Sequence, residues 1–326
     1  MKDIFDTLKE NIGSNIKLNE SLSRHTNFKI GGPAKYYFEA LTSTDLERAV
    51  QTARELQIPT IVLGGGANVL VSDNGFAGLV IIAKNQIWSI NGNLVSAEAG
   101  VNLGFLVSQT VSAGLAGLEP LVAIPGSVGG AVYGNAGLPQ IAKGCIGDWI
   151  YEVTVLGDDK IVKLNNKQCK FSYRNSLFKQ TKDIILSVIL ELKPADKLVS
   201  EKLIKKYIAQ RKGQPYHLPS TGCIFTNVEV KTKKQEAEIK NKITSEPKLD
   251  DFLLRGQIPA GWLIELAGLK GKIIGGVQVS TDHANYIVNI NNAKAEHVVM
   301  LISFIKQQVR DKFGIQLKEE VQYIGF

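Results

Sequence analysis

The stretch Pro59-Thr60-Ile61-Val62-Leu63-Gly64-Gly65-Gly66-Ala67-Asn68-Val69-Leu70-Val71 decides how this chain is built. A short apolar run leads into three glycines and a second β-branched run follows, so the pattern is strand, tight loop, strand. Glycine admits positive φ and lets backbone amides point at a ligand, for which a polyanion such as a diphosphate is the usual reason. A Rossmann turn needs a third small residue at the place Val69 occupies, and then a helix. No Gly-Lys-Ser/Thr follows, which excludes the Walker loop. A second loop, Gly126-Ser127-Val128-Gly129-Gly130-Ala131, again follows an apolar run. The first reading is therefore a nucleotide clasped from two sides, by Gly64, Gly65, Gly66, Ala67 and Asn68 and by Gly126, Ser127, Gly129, Gly130 and Ala131.

Outward from the first loop the pattern is α+β. Residues 1–20, with Lys2, Asp3, Asp6, Lys9 and Glu10 among Ile4, Phe5, Leu8 and Ile12, read as an appended amphipathic helix. A helix is expected over Ser43 to Leu56, with Thr44-x-x-Glu47 as a capping box. Another is expected over Leu103 to Ala113. Val153 to Leu156, Gly157-Asp158-Asp159 and Ile161-Val162 read as a hairpin, and Ile184 to Leu192 as a buried strand. Pro194-Ala195-Asp196 marks the best boundary, with a helix beyond it to about Lys212. Ala295 to Phe313 is a helix with Val298, Leu301, Ile302, Ile305 and Val309 on one face, closed by Gly314. In a last strand Ile315, Leu317 and Val321 share one face, and Glu320 lies on the other with Lys318 and Gln322. The expected division is a helical extension over 1–20, a first domain over 21–194 with subdomains of about 21–84 and 85–194, and a second domain over 195–326.

The 326 residues are 44% hydrophobic and 21% charged, ordinary for a globular protein with two domains. A formal charge of +7 and a pI near 9.1 suit an anionic ligand: nucleotide cofactor, sugar nucleotide or nucleic acid. Cys145, Cys169 and Cys223 are an odd number without paired spacing, which argues for reduced thiols and a cytosolic compartment. His25, His217, His283 and His297 show no metal spacing, so no metal is expected. No apolar stretch has the length to span a bilayer, and the N-terminus is not a secretory signal.

Three polar segments stand in apolar or turn-like surroundings: Tyr173-Arg174-Asn175-Ser176, Ser220 to Asn227, and Glu319-Glu320-Val321. Singly they read as a surface arginine, a small core cysteine and a solvated glutamate.

Together with the glycine loops these segments form an ordered series. Its members are His25 to Ala34, Gly64 to Asp73, Ile124 to Gly137, Tyr173 to Ser176, Gly222 to Asn227, Ala260 to Glu265, His283-Ala284-Asn285, and Glu320-Val321. Each is weak alone, but the eight in order are specific. The chain resembles the UDP-N-acetylenolpyruvoylglucosamine reductase family from about Ser21 to Phe326. The resemblance implies a two-subdomain FAD-binding unit of the vanillyl-alcohol-oxidase type, followed by an α/β substrate-binding domain. It also implies non-covalent FAD, NADPH as hydride donor, and reduction of the enolpyruvyl ether of a UDP-sugar in cytoplasmic peptidoglycan precursor synthesis.

On the same basis Arg174, Cys223 and Glu320 are the expected catalytic residues, and Tyr173, Asn227 and Asn285 the expected substrate residues. Hydride addition leaves enolate-like charge beside the substrate carboxylate, which Arg174 is suited to meet, as is Glu320 when burial holds it protonated. Cys223 stands where the family usually has a serine proton donor. A thiol, with an ordinary pKa of about 8.5, is the easier donor of the two. Three departures stand out: Thr226 where lysine is common, Val228 where proline is common, and an insertion at 229–258. The insertion reads as a solvated excursion rather than a lid. The nearest rival is a flavin oxidoreductase of the same fold acting on an alcohol or sugar. A non-catalytic nucleic-acid or nucleotide binder is suggested only by the pI and has no recognition motif. Neither nucleic acid, membrane nor an obligate protein partner is expected.

Overall fold

The computed structural model describes residues 3–138, 140–158, 160–244 and 246–326. Its contacts divide the chain into two compact units, both discontinuous in sequence. The first is formed by residues up to Glu20, Ala34–Gly66 and Phe76–Lys212, the second by Ser21–Pro33, Ala67–Gly75 and Gly213–Phe326.

In the first unit the strands before and after the Ser43–Glu55 helix build a four-stranded sheet. Its order is Lys17–Ser21, Pro33–Ala40, Phe76–Ala83, Thr60–Leu63, and Phe76–Ala83 runs parallel to both of its neighbours. The Ser43–Glu55 helix is capped by Thr42, whose side chain accepts from the Asp45 amide while the Asp45 carboxylate accepts from the Thr42 amide. The capping box is thus Thr42/Asp45 rather than Thr44/Glu47, two residues earlier than the spacing suggested. Leu46, Ala49, Val50 and Ala53 bury its inner face against Tyr36, Phe38, Leu79 and Ile81. The first helix, Ile4–Ile12, is not an appendage. Leu8 and Ile12 lie in that same core, because burying two large aliphatic side chains outweighs leaving a short helix in water. Lys2 of that expected helix, and Asp159 of the expected hairpin turn, lie outside the described residues.

The same unit holds a five-stranded antiparallel sheet in the order Ile161–Asn165, Ile150–Leu156, Ile184–Glu191, Leu94–Glu98, Trp88–Asn91. Helices Leu103–Ser112 and Val128–Gly134 pack on it through Leu103, Leu106, Val107, Val128 and Val132. The chain stays in this unit beyond Pro194. Lys193–Pro194 pairs with Leu115–Ala116, the Ser200 hydroxyl bonds the buried Glu119 carboxylate at 2.6 Å, and Arg211 bonds the Ala123 carbonyl at 2.7 Å. Helix Lys197–Gln210 therefore belongs with the elements before it.

The second unit is built on an antiparallel sheet in the order Ser220–Cys223, Tyr286–Asn289, Val277–Val279, Ile273–Ile274. The Ala295–Phe313 helix supplies Val298, Leu301, Ile302, Ile305 and Val309 to its core and ends at Gly314, which is left-handed at φ 70°. Asp73 accepts from the Ala295 and Glu296 amides, the first free donors of that helix. Residues 315–321 alternate in burial as expected, yet regular pairing is confined to Gln322–Ile324, parallel to Val69–Val71. The insertion is not a solvated excursion either. It folds as helices Lys233–Lys242 and Lys248–Leu254, which bury Ile239, Ile243 and Leu249 in the core, and Phe252 meets Trp262 edge-on at 5.1 Å.

Candidate functional site

In the first unit the two glycine loops face each other. A Cβ on Gly65 would stand 2.8 Å from the Gly126 Cα, and one on Gly64 would collide with the Ser127 hydroxyl. Glycine is thus required at both positions first of all by the opposite loop. Gly66 at φ 59° and Gly126 at φ 122° take backbone conformations that favour glycine. Gly129 packs on Ala99 and spends its amide on the Ala99 carbonyl, whereas Gly130 and Gly65 are exposed. Among the described residues the amides of Gly65 and Gly66 donate no hydrogen bond to the protein. Unspent amides on a left-handed turn, beside a second glycine loop, fit the diphosphate of FAD. Neither loop contains a histidine or cysteine that could bond a flavin covalently.

Downstream of the second loop, helix Val128–Gly134 ends at Asn135, itself left-handed at φ 45°. The Asn135 amide donates to the Ser172 carbonyl at 2.8 Å, and its oxygen accepts from the Gly147 amide at 3.0 Å. Ser172 and Asn175 exchange backbone bonds across a two-residue turn whose tip is Tyr173 and Arg174. Arg174 sits at φ 53°, a sparsely populated region for a residue with a Cβ that costs roughly 1–3 kcal/mol and needs surrounding support. That support comes from Lys179 Nζ on the Arg174 carbonyl at 2.8 Å and from Arg174 Nη1 on the Gly137 carbonyl at 3.0 Å. The buried Ser176 hydroxyl adds a bond to the Tyr133 carbonyl at 2.7 Å. The Arg174 guanidinium lies 5.7 Å from the Tyr173 ring. Burial, and after it Asp148, push the nearby Cys145 thiol up, against a smaller lowering by Arg174.

In the second unit Ile224 and Thr226 are laid against the chain's end. The Glu320 amide bonds the Ile224 carbonyl at 2.7 Å, and the Thr226 amide bonds the Lys318 carbonyl at 2.9 Å. Glu320 therefore lies across from the residue next to Cys223, and both side chains are half-buried. The neighbouring Glu319 is held by Lys306 at 2.6 Å. Asn68, expected at the cofactor, bonds the Glu320 carbonyl through its amide at 3.2 Å. The Asn285 side chain is buried and clamps Phe225 at both ends, accepting from its amide at 3.0 Å and donating to its carbonyl at 2.8 Å. Asn227 accepts from the Ala260 amide at 3.2 Å. The second unit thus brings Cys223, Asn285 and Glu320 together along one backbone seam, and the first ties the turn of Tyr173 and Arg174 to Asn135 and Gly137, just after the second glycine loop. Sequence reasoning missed Asn135 and Lys179. The only available signal was an asparagine just past a short helix, where a left-handed residue is common.

Two facing glycine loops with unspent amides that fit the diphosphate of FAD point to a flavin-dependent oxidoreductase. Two family models match: one described as FAD binding domain over residues 34–165, and one described as UDP-N-acetylenolpyruvoylglucosamine reductase, C-terminal domain, over 214–324. Their first residues fall within one residue of unit edges, at Ala34 and Gly213. Reductases so named are 38% identical in Chloroherpeton thalassium, over 98% of this chain and 96% of theirs, and 35% in Carboxydothermus hydrogenoformans, over 98% and 97%. The crystal structure of the UDP-N-acetylenolpyruvylglucosamine reductase of Thermus caldophilus superposes with a TM-score of 0.74 at 30% identity, covering 95% of this chain and 98% of that one. The chain belongs to the UDP-N-acetylenolpyruvoylglucosamine reductase family.

Proposed function

We infer that this protein reduces the enolpyruvyl group of UDP-N-acetylenolpyruvoylglucosamine to give UDP-N-acetylmuramate, with FAD as cofactor and NADPH as reductant. The observation that carries this is the match to reductases of that name over nearly the whole length of both chains. When bound, FAD would supply the hydride chemistry that links NADPH to the vinyl carbon of the substrate. Gly65 and Gly66, whose amides are unspent among the described residues, would hold its diphosphate, with Gly64, Gly126, Ser127, Gly129, Gly130 and Ala131 shaping the clasp around it.

The protein's own residues handle charge and one proton. Arg174 meets the negative charge that develops next to the substrate carboxylate, held in place by the turn that fixes its backbone. Glu320 provides the second polar group at the same charge. Cys223 Sγ gives its proton to the carbon that completes the saturated lactyl ether. Tyr173 and Asn227 contact the sugar nucleotide. Asn285, whose amide is committed to Phe225, supports this work by fixing the backbone beside Cys223. We place the reaction in the cytoplasm, where UDP-sugars and NADPH are found. Three cysteines without a disulfide among the described residues agree with that, and no helix there is long and apolar enough to cross a membrane.

The test is spectroscopic. The purified protein should carry flavin absorbance that NADPH bleaches and the enolpyruvyl sugar nucleotide restores, and acid precipitation should leave the yellow colour in the supernatant. Reoxidation by oxygen and a simple alcohol or sugar as substrate, with no response to the enolpyruvyl compound, would overturn the assignment.

A further inference from the structure

The Arg174 turn is tied to the helix that follows the second glycine loop: the Ser176 hydroxyl donates to the Tyr133 carbonyl, 43 residues away in sequence. Ser127 opens the Val128–Gly134 helix, accepting from the Gly130 amide at 3.3 Å, and lies against Gly64 of the first loop. Seven helical residues later Asn135 closes it. Its side chain faces two ways, donating to the Ser172 carbonyl and accepting from the Gly147 amide. Gly147 is itself held close, since a Cβ there would come 2.7 Å from both the Asn135 oxygen and the Phe171 ring. Ser172 is the residue whose backbone closes the turn carrying Arg174 at positive φ.

We propose that Asn135 is a positioning residue for Arg174, tying the turn that presents the guanidinium to the helix that starts at the cofactor loop. The inference rests on the role of Arg174 given above. A left-handed arginine is retained only where its surroundings over-determine it. Lys179 and Gly137 act on Arg174 itself, whereas Asn135 anchors the base of the turn. Asparagine suits the task because its short amide both donates and accepts, and because it tolerates φ 45° better than most side chains.

Two variants separate this role from a merely structural one. Asn135→Gly keeps the left-handed backbone accessible and removes both side-chain bonds. Asn135→Asp keeps the acceptor for Gly147 and loses the donor to Ser172. In both, deuterium exchange of the peptide spanning 172–178, measured without substrate, should quicken by about tenfold. Flavin reoxidation by the enolpyruvyl substrate should slow by about 10²-fold, the scale on which small misplacements act. Flavin content should be unchanged and reduction by NADPH should stay within about twofold of wild type. Unchanged exchange in 172–178, or equal slowing of both half-reactions, would overturn the proposal. If Arg174→Ala is slow in reoxidation while Asn135→Gly is not, only this inference falls. If Arg174→Ala reoxidises at the full rate, both this and the role of Arg174 fall.

Discussion

At the scale of single residues, the chemistry turns on whether a proton donor and a charge acceptor are held where they are needed. Cys223, the proposed proton donor, ends a strand and pairs with Tyr286. Cys223→Ser should retain much of the turnover, because a hydroxyl at that place still delivers a proton. Cys223→Ala should lose about 10² to 10⁴ in rate, with flavin content unchanged. Near-normal turnover by the alanine variant would make Cys223 a space-filling residue. Arg174→Ala and Glu320→Gln should slow flavin reoxidation by substrate far more than flavin reduction by NADPH, since the charge they meet arises only in the second step. Stopped-flow records of each half-reaction decide this, and equal slowing would assign both residues to folding or cofactor binding. The sequence made these three residues visible through the order of their motifs. It left unseen what Asn68 and Asn285 do, because hydrogen bonds from a side chain to a distant backbone leave no periodic trace.

At the scale of elements, local pattern and tertiary packing agree in one instructive place and disagree in another. The Ala295–Phe313 helix has the bounds its periodicity predicts, because five apolar residues recur on one face and a left-handed glycine ends it. Helix Lys233–Lys242 looked solvated because its composition is mostly charged, with Ile239 its one large apolar residue, yet Ile239 and the capping Ile243 suffice to seat it. If that seat matters, Ile239→Ala should destabilise the protein by about 2 kcal/mol, the low end for an aliphatic truncation at a slightly exposed position. Urea unfolding followed by the fluorescence of Trp262, close to the second insertion helix, would register it. A midpoint unchanged from wild type would show the insertion to be independent of the core.

At the scale of the whole molecule, pH enters through His283, whose ring lies 5.0 Å from that of Tyr286 and accepts from the Asn285 amide. Burial, the largest cause, holds the His283 imidazole below its ordinary value, with Lys270 adding to the lowering. The unfolded chain therefore takes up the proton before the folded one does. The contribution to stability is fully present above the ordinary histidine value of about 6.5. It is lost as pH falls through that value toward the lowered one. Denaturation midpoints at pH 7.5 and 5.5 should thus differ more for wild type than for His283→Gln, and an equal difference would remove His283 from the account.

From its sequence alone this protein's elements, its glycine clasp and its family could be read, because periodicity, turn residues and motif order are local properties. The division of the chain into units was decided only by the tertiary structure. Val69–Val71 pairs in parallel with Gln322–Ile324, and Ser21–Pro33 joins the second unit while the strands on either side build the first. The helix beyond Pro194 stays with the first unit through one buried carboxylate and one arginine. Strand partners and buried polar bonds join residues by backbone geometry far apart along the chain. That geometry is set by the whole fold and not by the residue types at either end.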